Sequence, residues 1–298
     1  MAESSKSIPE AEKHIKQAEK DLKTSLFKWK PDYDVAADEY SKAATCYRSN
    51  GCFEEAKKYL HKAIECYQQS NSYFSAGKCY DQIALILKDQ GDSYLEQVQE
   101  IVDSAATCYQ HHGALDTAAL ALAKGAQILE QKLPEKAIPL YLRGADISVA
   151  EDRMKQAIDY VSKAARLQVR VKQYDEAAGS LQREMSLHQE SGNTKALGRV
   201  VAASVLVHLA RDDVVAASKC FQEFGGWCDD SEASVLQVVV QAADEVDNER
   251  LKEALGNPII KNMDIDYARL ARDIAARFKE TENASSEVSQ DLRPGELC

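Results

Sequence analysis

The sequence predicts an all-α protein, built as a right-handed α-solenoid of antiparallel helix hairpins that ends in a C-terminal helical capping bundle. Three observations favour this fold class. The 298 residues contain only 13 Gly and 6 Pro beside 42 Ala, so residues that break helices are scarce. Apolar residues recur with the period of a helix, and this pattern itself repeats about every 20 residues.

Ten repeat units follow one another through most of the chain. In the first unit, small or apolar residues lie at Tyr33, Ala36, Tyr40, Ala43 and Tyr47, which form one stripe of an amphipathic helix. We expect each unit to be one helix, in which Ala or Gly allows close packing and a larger residue fills the groove opposite. The units begin at Tyr33, Phe53, Tyr73, Tyr94, Leu115, Pro134, Met154, Tyr174, Thr194 and Val214.

Short breaks separate these units, and they carry residues that end helices. The segments SNGC, SNS, DQGD, HHGA and ESGN supply Gly, Asn or Asp, which tolerate the positive φ of a helix C-cap. Short connections make neighbouring helices antiparallel, so hairpins of about 40 residues are expected to stack into a solenoid like that of tetratricopeptide (TPR) repeats.

The repeat fades near Phe224, and this change sets the predicted domain boundaries. We expect a TPR-like helical-hairpin solenoid over residues 1–224 and a C-terminal helical bundle over residues 225–279, formed from VLQVVVQAADEV, ERLKEAL and DIDYARLARDIAARF. Residues 280–298 have few apolar side chains, so we expect a flexible acidic tail there.

The net charge is −11, and the acidic residues are concentrated towards the C-terminus. Residues 212–266 contain 13 Asp and Glu but 4 Lys and Arg. Such a surface repels nucleic acid and attracts a basic protein, although it could equally serve solubility alone. No apolar stretch approaches the ~20 residues of a membrane-spanning helix, and the N-terminus lacks a signal-peptide pattern. We therefore expect a cytoplasmic protein that does not bind nucleic acid.

The sequence has no motif that indicates catalysis, a cofactor or a metal site. It lacks a Gly-rich phosphate loop, GxSxG and HExxH. Its eight Cys are irregularly spaced without CxxC, which indicates neither a disulfide framework nor a zinc site. We expect an interaction protein rather than an enzyme, with no cofactor, no metal and no small-molecule substrate.

Several segments resemble the soluble NSF attachment proteins (SNAPs), in particular their gamma form. They are LKTSLFKWKPDYDVAADEYSKAATCYRSNGCFEEA, PEKAIPLYLRGADI, SKAARLQVRVKQYDEAA and the terminal GELC, within a likeness that runs from about Lys13 to Phe278. The resemblance implies a non-enzymatic adaptor with peripheral membrane contact. It would bind a syntaxin-type four-helix SNARE complex, recruit and stimulate the hexameric ATPase NSF, and so promote SNARE disassembly in vesicle transport.

The resemblance also implies three interaction surfaces. The membrane-contact residues would be Leu26, Phe27 and Trp29, which lie among lysines; the alternative is that these aromatic residues pack the first helix pair. The SNARE-binding cations would be Lys124, Lys163, Arg166, Lys195 and Arg199, which could instead be ordinary solvated side chains. The NSF-binding residues would be Asp244, Glu245, Asp247, Glu249, Glu253 and the penultimate Leu297.

Two other functions remain open at this point. A TPR-like peptide-binding scaffold for a chaperone or signalling complex would use the same helical architecture, but its hairpins repeat every 34 residues rather than about every 40. An enzyme would need a deep pocket with convergent titratable groups, and no sequence motif indicates one.

Overall fold

The computed structural model describes residues 4–24 and 29–290, and it describes side chains over residues 8–24 and 29–277. These described residues form fifteen α-helices and three short 3-10 segments, and no strand occurs among them. The all-α prediction is therefore confirmed. The 3-10 segments are Asp92–Gln97, Thr194–Ala196 and Gly225–Trp227.

The α-helices follow one another with short connections. In chain order they are α1 (Ser4–Asp21), α2 (Tyr33–Ser49), α3 (Phe53–Gln69), α4 (Tyr73–Gln90), α5 (Val98–His112), α6 (Leu115–Leu129), α7 (Pro134–Ala150), α8 (Met154–Arg170), α9 (Tyr174–Glu190), α10 (Leu197–Ala210), α11 (Val214–Phe224), α12 (Asp230–Asp244), α13 (Asn248–Leu255), α14 (Pro258–Lys261) and α15 (Ile265–Gln290).

The repeat pattern predicted where most of these helices begin. Eight of the ten sequence repeats start as α-helices at the expected residue, from α2 at Tyr33 to α11 at Val214. The other two start with 3-10 turns: Tyr94 lies inside Asp92–Gln97 before α5, and Thr194 opens the turn before α10. The repeat pattern did not predict α1, which packs on α2 through the fully buried Ala11 and Ala18.

The turns between helices adopt the left-handed conformation that the sequence predicted. Gly51 has a φ of 73° and Asn71 a φ of 60°. At the first of these turns the Gly51 N–H donates to Arg48 O at 3.0 Å and the Cys52 N–H to Tyr47 O at 3.0 Å, the two bonds of a Schellman cap. Three further glycines and four residues that were not expected also have positive φ: Gly91, Gly113, Gly192, Asp152, Lys172, Asp212 and Val246.

The chain divides into two compact units, residues 1–160 and 161–298. In the first unit, polar contacts connect residues about one hairpin apart. Arg143 Nη1 lies 2.7 Å from Asp103 Oδ1, and Arg48 Nη2 lies 2.8 Å from Asp89 Oδ2. Contacts of the same spacing join Lys132 to Asp92, Lys136 to Glu96 and Arg153 to Asp116.

Small residues set the packing distance between helices in this first unit. Ala56, Ala118 and Ala137 are fully buried, as the repeat predicted, and the larger Tyr109 and Tyr141 are also buried, each 1% exposed. Both of these hydroxyls have partners: that of Tyr109 donates to a carboxylate oxygen of Asp81 at 2.6 Å, and that of Tyr141 donates to a carboxylate oxygen of Glu130 at 2.9 Å. Burial and the hydrogen bond to Asp81 raise the pKa of Tyr109, so the hydroxyl keeps its proton.

The second unit is organised around α10. Every residue of α10 is buried except Arg199 and His208, which is the pattern of a helix surrounded by protein. Its neighbours are α9, α11, α12 and α15. The core of this unit therefore surrounds one central helix rather than following a row of equivalent hairpins.

The last helix is longer than expected. The sequence predicted a tail from residue 280, whereas α15 continues to Gln290. The segment from 280 to 290 contains no Gly or Pro, so it lacks the residues that break helices most strongly. The predicted domain boundaries at residues 224 and 279, like the flexibility of the tail, remain predictions.

Candidate interaction surfaces

The five acidic residues of the expected NSF-binding surface lie at the end of α12, in the turn after it and on α13, and we call them the acidic turn. All five are exposed; they are Asp244, Glu245, Asp247, Glu249 and Glu253. A single turn thus brings together carboxylates that the sequence placed within ten residues.

Cations of the same chain neutralise part of the acidic turn. Glu245 Oε2 lies 3.1 Å from Arg250 Nη1, and Glu249 Oε1 lies 3.5 Å from Lys252 Nζ. Asp247 caps α13, because its Oδ1 accepts the backbone N–H of Arg250 at 3.0 Å. Among the described side chains, Asp244 and Glu253 form no ion pair, so their charges are available to a partner.

An apolar residue with a strained backbone lies in the middle of the acidic turn. Val246 has a φ of 56°, which a β-branched residue rarely adopts, and 71% of its surface is exposed. The conformation arises because α12 reverses direction into α13 there, with the Val246 N–H donating to Ala243 O. The sequence predicts a break between VLQVVVQAADEV and ERLKEAL, but it does not predict the positive φ of Val246, because that position holds neither Gly nor Asn.

The proposed SNARE-binding cations occupy different environments. Lys124 is exposed on α6 in the first unit, while the other four lie in the second unit. Lys195 and Arg199 are exposed one helical turn apart, and Arg199 is the exposed residue of α10, in which His208 is half-buried and the remaining residues are buried. Lys163 on α8 is half-buried.

Arg166 forms an ion pair within its own unit. Its Nη1 donates to Asp264 Oδ2 at 2.5 Å, where both side chains are about one-third exposed. One turn later, Arg170 donates through Nε and Nη2 to both carboxylate oxygens of Asp266, at 3.0 and 2.9 Å. These two ion pairs fix α8 to the start of α15, a structural role that the sequence did not reveal.

Arg166 and Arg199 line the same cavity, of about 290 Å³, in the second unit. The cavity lies between α8, α9, α10 and the residues around the start of α15. Its other polar side chains include Ser162, Glu184 and Tyr267. Sequence reasoning named the two arginines but missed the tyrosine, because Tyr267 occupies an apolar position of an amphipathic helix.

The expected membrane-contact turn is described only in part. Leu26 and Phe27 lie outside the described residues, whereas Trp29 is described and is 88% exposed. This exposure leaves most of the Trp29 side chain outside any packing among the described residues. Leu297, expected to act on NSF, also lies outside the described residues.

The described residues provide little that resembles a catalytic or metal site. No group of three His, Cys, Asp or Glu among them could hold a metal ion. Seven described cysteines are free thiols, and burial raises the pKa of Cys79 to about 12. No described helix combines the length and apolar character needed to span a bilayer.

Comparison with known proteins identifies the family. The sequence model of the soluble NSF attachment protein (SNAP) family matches residues 9–257. The gamma-soluble NSF attachment protein of Dictyostelium discoideum is 24% identical over 259 residues, covering 85% of this chain and 78% of that protein. The protein of the same name from Arabidopsis thaliana is 24% identical over 255 residues, covering 85% of this chain and 87% of that protein.

Among solved structures, the apo form of RapI aligns with a TM-score of 0.37 and 13% identity, covering 91% of this chain and 99% of that chain. Both sequence relatives carry the gamma designation that the residues themselves indicated. Since the family match includes the hairpin repeats as well as the acidic turn, the chain belongs to the soluble NSF attachment protein family.

Proposed function

We propose that this chain is a non-enzymatic adaptor that binds four-helix SNARE complexes and recruits and stimulates the ATPase NSF. The observation that carries the proposal is the family match over residues 9–257. The exposed acidic turn and the unpaired Arg199 support it, because they provide charged surfaces for two different partners. By this proposal the protein would act in the cytoplasm, associate peripherally with membranes and serve SNARE disassembly in vesicle transport.

SNARE binding is assigned to the cations of the second unit, together with Lys124 of the first. Four of the five, Lys124, Lys163, Lys195 and Arg199, are the proposed direct contacts. Arg166 is expected to contribute less, because its charge is balanced by Asp264 at 2.5 Å. Electrostatic docking of this kind tolerates partners whose sequences vary.

A pull-down with a purified SNARE complex tests this assignment. The double variant Lys163→Glu with Arg199→Glu should bind less SNARE complex while its circular dichroism spectrum is unchanged. The control variant, Lys172→Glu with Lys219→Glu, changes the net charge equally at exposed lysines of the same unit outside the proposed set. Equal binding by both double variants would contradict the assignment.

NSF binding is assigned to the acidic turn, where Asp244 and Glu253 have the unpaired carboxylates. A basic partner surface is attracted to such a cluster, although screening limits the range to about 8 Å at physiological salt. We expect Asp244→Lys with Glu253→Lys to reduce stimulation of NSF ATP hydrolysis, measured as phosphate release. The control Glu176→Lys with Glu190→Lys should leave it unchanged, and an equal reduction by the control would refute the assignment.

The N-terminal turn and the C-terminus complete the proposal. Deleting residues 296–298, which include Leu297, should reduce NSF stimulation and preserve SNARE binding. Replacing the exposed Trp29 by Ser, together with Leu26→Ser and Phe27→Ser, should reduce co-sedimentation with phospholipid vesicles. Vesicle binding that survives the triple replacement would remove the membrane contact from the proposal.

A further inference from the structure

The cavity beside α10 has properties that adaptor function does not explain. Its volume of about 290 Å³ is close to the lower limit of ligand-binding pockets and several times the ~30 Å³ that one water occupies in the liquid. Polar side chains form one part of its wall. The apolar part is lined by Leu181, Val200, Ala203 and Met263.

Two hydrogen-bond donors at this cavity are buried without an acceptor. The Tyr267 hydroxyl and Arg166 Nε have no hydrogen-bond partner among the described residues, and Tyr267 is only 6% exposed. Burial raises the pKa of Tyr267 well above its ordinary value, so the hydroxyl stays protonated and can donate. Buried donors without partners are rare in folded proteins, and two beside one cavity indicate a missing acceptor.

The charges around the cavity limit what the acceptor can be. Arg199 is exposed and forms no hydrogen bond or ion pair with any described side chain, whereas Arg166 is paired with Asp264. Glu184 is only 5% exposed, and its Oε1 lies 4.0 Å from His188 Nε2. Two arginines and two acids leave the lining without net charge. A single negative charge can therefore pair with Arg199, whereas a dianion would add repulsion from Glu184.

We propose that this cavity binds a carboxylate group. Arg199 pairs with its charge, the Tyr267 hydroxyl and Arg166 Nε–H donate to its oxygens, and the apolar wall contacts the attached carbon chain. The carboxylate can belong to a small free acid or to an acidic side chain of a docked protein. The site shares Arg166 and Arg199 with the proposed SNARE-binding cations, but the observations behind it are the cavity and its unpartnered donors, and its test uses neither SNARE complex nor NSF.

Thermal unfolding of the full chain in sodium propionate, against sodium chloride at equal ionic strength, tests the site. Propionate should raise the Tm in a saturable manner, whereas phosphate, which stabilises folded proteins generally because it is excluded from their surfaces, should raise it only gradually and without saturation. Arg199→Gln should weaken propionate binding about tenfold or more, the size expected for a hydrogen-bonded charge. The matched control Lys195→Gln removes a cation one turn away, outside the cavity lining, and should bind normally.

The variant Tyr267→Phe distinguishes a ligand-binding role of this hydroxyl from a purely structural one. Removing a donor that has no partner should leave the Tm without propionate unchanged or higher, while propionate binding weakens. A Tyr267→Phe variant with normal propionate affinity, a Tm rise that does not saturate, or preference for phosphate would each overturn the proposal.

A competition experiment distinguishes the two sources of the carboxylate. A glutamate-rich peptide that displaces propionate from the wild type, and that itself binds the Arg199→Gln variant more weakly than the wild type, supports an acidic side chain as the natural occupant. Propionate binding that the peptide does not affect supports a small free acid. Failure of both propionate and the peptide to bind would overturn the site, whatever the outcome of the SNARE and NSF assays.

Discussion

The two compact units of this chain are both helical, yet the contacts that stabilise the interior of each unit differ in kind. In residues 1–160, equivalent hairpins repeat, and partly exposed ion pairs such as Arg143–Asp103 connect residues one hairpin apart. In residues 161–298, one buried helix, α10, forms the centre, and the ion pairs Arg166–Asp264 and Arg170–Asp266 join helices nearly one hundred residues apart in sequence.

The difference concerns how stability is distributed. A repeat array stabilises itself through many similar contacts between neighbours, so no single contact dominates. A unit with one central helix depends on fewer contacts, some of which are deeply buried. Substitutions in the second unit should therefore have larger effects than equivalent substitutions in the first.

The largest decrease in the free energy of unfolding is expected when the Arg170–Asp266 ion pair is removed. Asp266 is only 4% exposed, so Arg170→Met would leave a buried carboxylate without a partner and should destabilise the second unit by about 3–5 kcal/mol. Urea unfolding monitored by Trp227 fluorescence in a Trp29→Phe background measures this loss. Adding Asp266→Leu should recover most of it, because the unpaired charge is removed; no recovery would show that the loss has another cause.

An intermediate decrease in the free energy of unfolding is expected when the close packing between helices of the first unit is disturbed. A Cβ at Gly125 would lie 2.5 Å from Val102 Cγ2, so Gly125→Ala should cost about 1–3 kcal/mol despite the better helix propensity of Ala. The matched control is Gly179→Ala in α9, where no atom lies within 4 Å, and it should gain up to about 1 kcal/mol. Stabilisation at Gly125 would contradict the close packing.

Relief of backbone strain at Val246 should increase the free energy of unfolding, in contrast to the two substitutions above. Val246→Gly should stabilise the second unit by about 1 kcal/mol, because Gly adopts the φ of 56° without strain. Asn71→Gly in the first unit should change stability less, since Asn tolerates a φ of 60°. Denaturant unfolding of both variants gives the comparison, and equal gains would mean that Val246 is not strained.

The smallest decrease in the free energy of unfolding is expected when one ion pair of the first unit is removed. Arg143 and Asp103 are each 38% exposed, so their coupling energy should be about 0.2–1 kcal/mol. A double-mutant cycle with Arg143→Gln and Asp103→Asn measures it, and 0.5 M salt should reduce it. A coupling above 2 kcal/mol would place the dominant contacts in the first unit as well and remove the contrast between the two units.

The sequence by itself determined the helical fold and most of the helix starts. Periodic Ala and Tyr define the buried stripe of each helix, and residues such as Gly51 and Asn71 mark its end, because both signals depend only on neighbours along the chain. The acidic turn could be predicted for the same reason, since its carboxylates lie within ten residues of one another.

Only the tertiary structure decided which distant side chains meet. The sequence does not indicate that Arg166 has an ion-pair partner. Its pairing with Asp264 depends on how α8 packs against the start of α15. The same packing buries the Tyr267 hydroxyl beside a cavity and leaves Arg199 as the exposed residue of α10. Helical periodicity specifies the face that a helix buries, but the partner across that face depends on the path of the whole chain.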